Sequence, residues 1–156
     1  MRILVIAVGT RMPAWVTEAV SEYCGRLPAD HAIQWREIKP EPRGSGGSAQ
    51  IWMQREAERI RAALPEGAHR VMLDERGRDL DTRSLAKRLS AWRQESRTVA
   101  LLIGGPDGID PSLREGAHET LRLSSLTLPH PLVRVLLAEQ LYRAWSLLAG
   151  HPYHRG

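Results

Sequence analysis

The stretches ILVIAV at residues 3–8 and VALLI at residues 99–103 contain no polar side chain. Each is of strand length, and a strand without a hydrophilic face has to be covered on both sides. Helices laid over the two faces of a parallel sheet meet that requirement. The intervening sequence supplies them. Helix-like stretches run from Pro13 to about Arg26, from Ala49 to Leu64 (closed by Pro65 and Gly67), and from Thr82 to Glu95, with Asp81 or Thr82 as cap.

Further strands are expected at Ala32–Ile38, which alternates as an edge strand would, and at Val71–Asp74 and Leu121–Leu128. A short helix is expected after the glycine turn that follows Ile103, and a long final helix from about Pro131. Pro40–Ser48 (PEPRGSGGS) reads as a flexible segment, either a mobile lid or simply unstructured. The pattern therefore implies a single α/β domain over residues 1–156, a mostly parallel sheet with helices on both faces.

In such sheets ligands gather beyond the carboxyl ends of the strands. Three ends here are unusual: Leu73-Asp74 before ERG, Ile103 before Gly104-Gly105-Pro106-Asp107-Gly108, and LSSLTL before Pro129-His130-Pro131. Gly104 and Gly105 leave space above their strand and let backbone approach a ligand, although a plain turn reads the same way. After the first strand, VAVGTRMP lacks the three glycines of a dinucleotide fingerprint, and no phosphate-loop or GxSxG motif occurs. Without acidic or cysteine partners, His130, His151 and His154 do not suggest a metal site.

The net charge of +4 is concentrated at one end. From Leu121 onward four arginines face one acid, Glu139, and this points to an anionic partner, nucleic acid first. The lone Cys24 suits a reducing cytoplasm, and no apolar run reaches the ~20 residues of a membrane span. The final helix is apolar over most of its circumference. Leu137, Leu141, Tyr142, Ala144, Trp145 and Leu148 share a side with Arg134, while Leu136 and Leu147 lie opposite, so a second copy of the chain is the expected cover. Arg134 either snorkels to water or reaches an anion or a partner's carbonyls.

LLIGGPDG at 101–108, LSSLTLPHPLVRVLLAEQLYRAW at 123–145 and HPYHR at 151–155 resemble the bacterial large-subunit rRNA pseudouridine N3-methyltransferases (RlmH family). VAVGTRMPAWV at 6–16 and the Leu73-Asp74 strand end fit the same resemblance, which runs end to end. It implies a SPOUT-class enzyme with a C-terminal trefoil knot, using S-adenosyl-L-methionine and working as a cytoplasmic homodimer on 23S rRNA within the ribosome. Leu73, Gly104 and Leu123, Ser124, Ser125, Leu126, Thr127 and Leu128 would then contact the cofactor, and His130 and Arg134 the RNA.

The resemblance also assigns catalysis to Tyr153, His154 and Arg155. Methylating a weakly acidic N3 needs in-line positioning and a way to remove its proton. A histidine titrates near neutral pH and suits a base. Arg155 suits stabilisation of the developing anion or a phosphate clamp, and Tyr153 suits stacking or hydrogen bonding to the base. Two other readings remain open: a SPOUT enzyme for another rRNA or tRNA position, and a ribosome-associated RNA-binding factor without chemistry.

Overall fold

A computed structural model describes residues 1–44, 46–95 and 98–156. Five strands form one sheet in the order β2-β1-β4-β3-β5. They are β1 (Arg2–Val8), β2 (Ile33–Ile38), β3 (His69–Asp79), β4 (Thr98–Ile103) and β5 (Glu119–Arg122), and every neighbouring pair is parallel. The two fully apolar runs are the inner strands β1 and β4, paired in register from Arg2 opposite Thr98 to Ala7 opposite Ile103. The alternating run lies at the edge as β2.

Helices α1 (Ala14–Cys24), α2 (Ala49–Ala63), α3 (Thr82–Gln94), α4 (Pro111–Glu115) and α5 (His130–Ala149) complete the layers. Successive side chains of a strand point to opposite faces, so β1 splits cleanly. Ile3, Val5 and Ala7 join Leu85, Leu89 and Trp92 of α3 and Leu137, Leu141 and Ala144 of α5. Leu4, Ile6 and Val8 join Ala57 and Ile60 of α2 and Leu113 of α4. Local chemistry starts the helices. The Asp81 carboxylate accepts from Ser84 N at 2.7 Å, Ser48 Oγ from Ile51 N at 3.3 Å, and Asp110 from Ser112 N at 3.1 Å. Gly150, left-handed at φ 69°, ends α5.

Two expectations need correction. β3 does not stop at Asp74 but continues through a bulge to Asp79, where its register against β5 shifts between Leu73 and Arg78. Gly77 permits this, because a Cβ there would sit 2.6–2.8 Å from the Leu121 backbone. In turn β5 is Glu119–Arg122, and residues 123–128 form a loop rather than a strand. Of them, residues 123, 124 and 126–128 line a cavity. The chain thus leaves β5 at the sheet edge and returns past the bulge of β3 and the carboxyl end of β4. It then places α5 against both α1 and α3. This return path is compatible with the C-terminal knot implied by the resemblance.

Part of the glycine-rich segment is anchored. Arg43 Nη1 donates to Glu56 at 2.5 Å and its Nη2 to Asp107 at 2.8 Å, while Glu41 pairs with Arg55 and Arg59. Glu56 is buried, and its carboxylate also accepts from Glu41 N at 3.0 Å. Ser45, within this segment, lies outside the described residues. At the opposite end of the sheet, Glu119 accepts from Arg88, His69 and Trp92 at 2.5–2.9 Å. Burial opposes ionisation there, but these three donors outweigh it and hold the carboxyl below its usual range.

Candidate active site

The bulge of β3 at residues 73–76, the carboxyl end of β4, the 104–108 turn, the 123–128 loop and the start of α5 enclose a cavity of about 760 Å³. That lies within the range of small-molecule sites. Of the residues expected to contact a cofactor, Leu73, Gly104, Leu123, Ser124, Leu126, Thr127 and Leu128 line it, and Ser125 does not. The loop is shaped by Ser124, whose Oγ accepts from Leu126 N at 2.9 Å. Asp74 is held at the wall by Arg114, with Nε 2.8 Å away, and Asp107 by Arg43. Arg76 is exposed at the rim.

Gly104 has a reason to be glycine in the turn itself, besides any ligand. A Cβ there would lie 2.3 Å from Ile109 Cγ1 and 2.8 Å from Gly108 O, so the first conflict is within the turn itself. At Gly105 the neighbours would be Val8 Cγ1 at 3.0 Å and Glu56 Oε1 at 3.1 Å. The glycines let this turn fold back on the protein, and a side chain at Gly104 would displace the cavity wall before it met any ligand.

His130 lines the cavity, and Arg134 stands one turn behind it, only 4% exposed. All three guanidinium nitrogens of Arg134 are engaged: Nη1 with Glu37 at 2.6 Å, Nη2 with Gly9 O at 2.8 Å, and Nε with His130 Nε2 at 2.8 Å. A guanidinium only donates, so Nε2 of His130 accepts and its Nδ1 carries the proton donated to Gly104 O at 3.1 Å. Burial and the adjacent Arg134 hold the His130 pKa below its ordinary value, consistent with a neutral ring. The sequence offered two destinations for Arg134. It does not snorkel: the anion it reaches is the chain's own Glu37, a residue with no local signal to mark it.

The C-terminal tail is not brought to this cavity within the chain; none of Tyr153, His154 and Arg155 lines it. The tail folds back along α5 instead. The Tyr153 ring meets Tyr142 edge-on at 4.6 Å and lies under the Arg143 guanidinium at 4.7 Å. Burial, together with donation to Glu139, pushes its pKa up to about 12, so Tyr153 is a neutral phenol at physiological pH. Arg143 Nη1 lies 3.2 Å from His154 Nδ1, which must therefore accept. That contact occupies the nitrogen a general base would use. Arg155 is exposed and has no side-chain partner among the described residues.

Among the described residues, no three His, Cys, Asp or Glu side chains group as metal ligands, and no helix is long and apolar enough to cross a membrane. On α5, Leu132 and Leu148 remain 39% and 45% exposed, and Leu126 before it is 73% exposed.

A family profile described as "Predicted SPOUT methyltransferase" matches residues 1–154. A protein of Bordetella avium (strain 197N) named "Ribosomal RNA large subunit methyltransferase H" is 61% identical over 155 residues, covering 99% of each chain. One of the same name from Ralstonia pickettii (strain 12J) is 56% identical over the same share of both chains. Among solved structures, a probable methyltransferase from Bordetella pertussis Tohama I superposes with a TM-score of 0.60 over 92% of this chain and 93% of that one, at 16% identity. A probable methylase family protein from Haemophilus influenzae Rd KW20 gives 0.60 over 99% and 70%, at 11% identity. At such low identity these two structures speak for the fold alone.

Proposed function

Since this chain belongs to the SPOUT methyltransferase family, we propose that it methylates N3 of a pseudouridine in 23S rRNA, on the ribosome and in the cytoplasm, as a homodimer of single-domain protomers with S-adenosyl-L-methionine as donor. The observation that carries this reading is the full-length identity of 55–61% to large-subunit rRNA methyltransferases, combined with a cavity at the expected strand ends.

The residues present fit such a donor. Leu73, Leu123 and Leu128 give apolar wall, and the backbone of Gly104 and of the 123–128 loop gives donors and acceptors suited to an adenine edge. Ser125 belongs to the same loop and would act through its backbone. When bound, S-adenosyl-L-methionine supplies an electrophilic methyl group on a sulfonium centre. The protein's part is to orient the base in line with that methyl, exclude water and take the N3 proton.

Tyr153, His154 and Arg155 are the groups for that part. With its phenol proton retained, Tyr153 serves for stacking or donation rather than as the base. His154 takes the proton once Arg143 releases Nδ1, and Arg155, without a side-chain partner among the described residues, stabilises the developing anion or clamps a phosphate. Within one chain the tail rests on its own α5, so the two sets of residues meet when the tail of one protomer reaches its partner's cavity. The exposed leucines of α5 supply the contact between protomers. His130, on the cavity wall, is placed to meet the incoming base; Arg134 serves the site from behind it.

The deciding experiment compares rRNA and tRNA from a strain lacking the gene with those of the parent, mapping methylated nucleotides by mass spectrometry. Loss of one N3-methylated pseudouridine, restored by purified protein and donor acting on ribosomes, is the expected result. An unchanged map would overturn the proposal, and loss at a tRNA position would shift it to another SPOUT substrate.

A further inference from the structure

Arg134 is a costly residue to bury, since a cation taken out of water must recover its hydration from fixed partners. Here it recovers it from three elements at once: Glu37 at the end of β2, Gly9 O after β1, and His130 on its own helix. The chain clears room for this. Gly9 adopts φ 140°, which side chains rarely tolerate, and a Cβ there would lie 3.2 Å from Arg134 Nη2 and 3.6 Å from His130 Nε2. The series ends on Gly104 O, on the cavity wall, through His130 Nδ1–H.

We propose that Glu37, Arg134 and His130 form a positioning chain for the cavity: Arg134, anchored on Glu37 and Gly9, locks His130 as the neutral Nδ1–H tautomer, which holds the Gly104 turn and keeps a second positive charge off the wall. This inference rests on the methyl-donor reading of the cavity, because a sulfonium ligand is the one that gains from an uncharged neighbour. Among the other charged groups around the cavity, Arg134 is offset by Glu37, Asp74 by Arg114 and Arg122 by Asp79, Asp107 shares Arg43 with Glu56, and Glu75 and Arg76 are exposed to solvent. Protonating His130 would add a partly buried cation beside Arg134 on the wall of the cavity proposed to take a cationic donor. Arg134 acts through His130 and is a positioning residue, not a catalytic one.

The test pairs nitrogen-15 NMR of the histidine rings with calorimetric binding of S-adenosylmethionine and of S-adenosylhomocysteine, which lacks the sulfonium charge. Full-length wild type, Arg134→Gln, Arg134→Lys and Glu37→Gln are compared between about pH 6 and about pH 8, either side of the ordinary histidine pKa. The His130 resonances are assigned from a His130→Gln spectrum. Wild type should show the Nδ1–H form throughout, with a constant ratio of the two affinities. In Arg134→Gln the ring should titrate, and the charged ligand should lose roughly tenfold relative to the neutral one at the acid end, as expected for two unit charges several ångströms apart in a partly buried site. Arg134→Lys keeps the charge but cannot reach all three acceptors, and should fall between. Glu37→Gln retains an acceptor for Nη1 and should keep the tautomer.

A wild-type ring that is Nε2–H or charged at neutral pH would overturn the proposal. So would a folded Arg134→Gln whose ring and affinity ratio match wild type. If Arg134→Gln fails to fold, the wild-type tautomer and the other two variants still decide. If neither ligand binds wild type, the methyl-donor reading fails by itself, while the ring resonances still report on the chain.

Discussion

The phenol of Tyr153 donates to Glu139 Oε2 at 3.0 Å, tying the C-terminal tail to the middle of the helix it has just left. Because burial and this bond raise the tyrosine pKa to about 12, the neutral phenol is the form the fold favours. A folded pKa above the unfolded one gives stability that is complete below about pH 10 and lost as pH rises through about 12. Thermal unfolding of wild type should lose its advantage over Tyr153→Phe across that window. Parallel curves for the two proteins from neutral pH to the alkaline limit would show that the bond contributes nothing.

Removing His151–Gly156 should leave the fold standing, since the tail packs on α5 without entering the core. Methyl transfer to ribosomes should fall by orders of magnitude, with only a modest loss of cofactor affinity. Arg155→Ala alone should account for about 10²–10³ of the rate, the usual worth of one preorganised donor to a developing anion. The defect of His154→Ala should shrink as pH rises and the substrate ionises unaided. Full-rate transfer by the truncated enzyme is the result that removes the tail from the mechanism.

Gly104→Val should abolish cofactor binding by moving the turn, and so should also lower stability. Crowding Ile109 and Gly108 carries the cost of an overpacked site, about 1–3 kcal/mol. Calorimetry and a melting curve on the same sample check both halves. Binding lost at an unchanged Tm would place the side chain in the ligand's own volume instead.

Sedimentation at micromolar concentration should give twice the 17.5 kDa chain mass, and Leu132→Glu should shift it toward monomer by placing a charge on the exposed apolar face of α5. A 17.5 kDa species for wild type would end the homodimer proposal.

Glu119→Ala should destabilise by about 1–3 kcal/mol, because it strands the donors of Arg88, His69 and Trp92. The carboxyl pKa is depressed, so its contribution is present above the unfolded value and is lost as pH falls through the folded one. Wild type and Glu119→Ala should therefore converge in stability in acid and diverge toward neutrality.

Some of this was legible in the residues and some was not, for identifiable reasons. Apolar runs with no polar face announced β1 and β4, and alternation announced the edge strand β2. The continuation of β3 through ERGRD was hidden because its charged side chains suit an exposed strand end, and its pairing depends on Gly77 approaching Leu121, 44 positions away in sequence. Residues 123–128 imitated a strand because lining a cavity and pairing in a sheet select the same apolar side chains. Arg134 stood out as a basic residue on an apolar face, but its partners Glu37 and Gly9 lie 97 and 125 residues away, and no local pattern points to them.

The position of α5 governs how this chain acquires its structure. One face of β1, at the start of the sequence, is sealed by Leu137, Leu141 and Ala144, well over a hundred residues later. Contacts this distant in sequence slow folding, because the entropy of closing the intervening loop is lost before any burial repays it. During synthesis, the layer containing α1 and α3 lacks α5 until residues 130–149 have emerged, so the face of Ile3, Val5 and Ala7 has only Leu85, Leu89 and Trp92 of α3 to cover it in part. The nascent chain therefore spends most of its translation as an incomplete sandwich, closed only when its final helix docks.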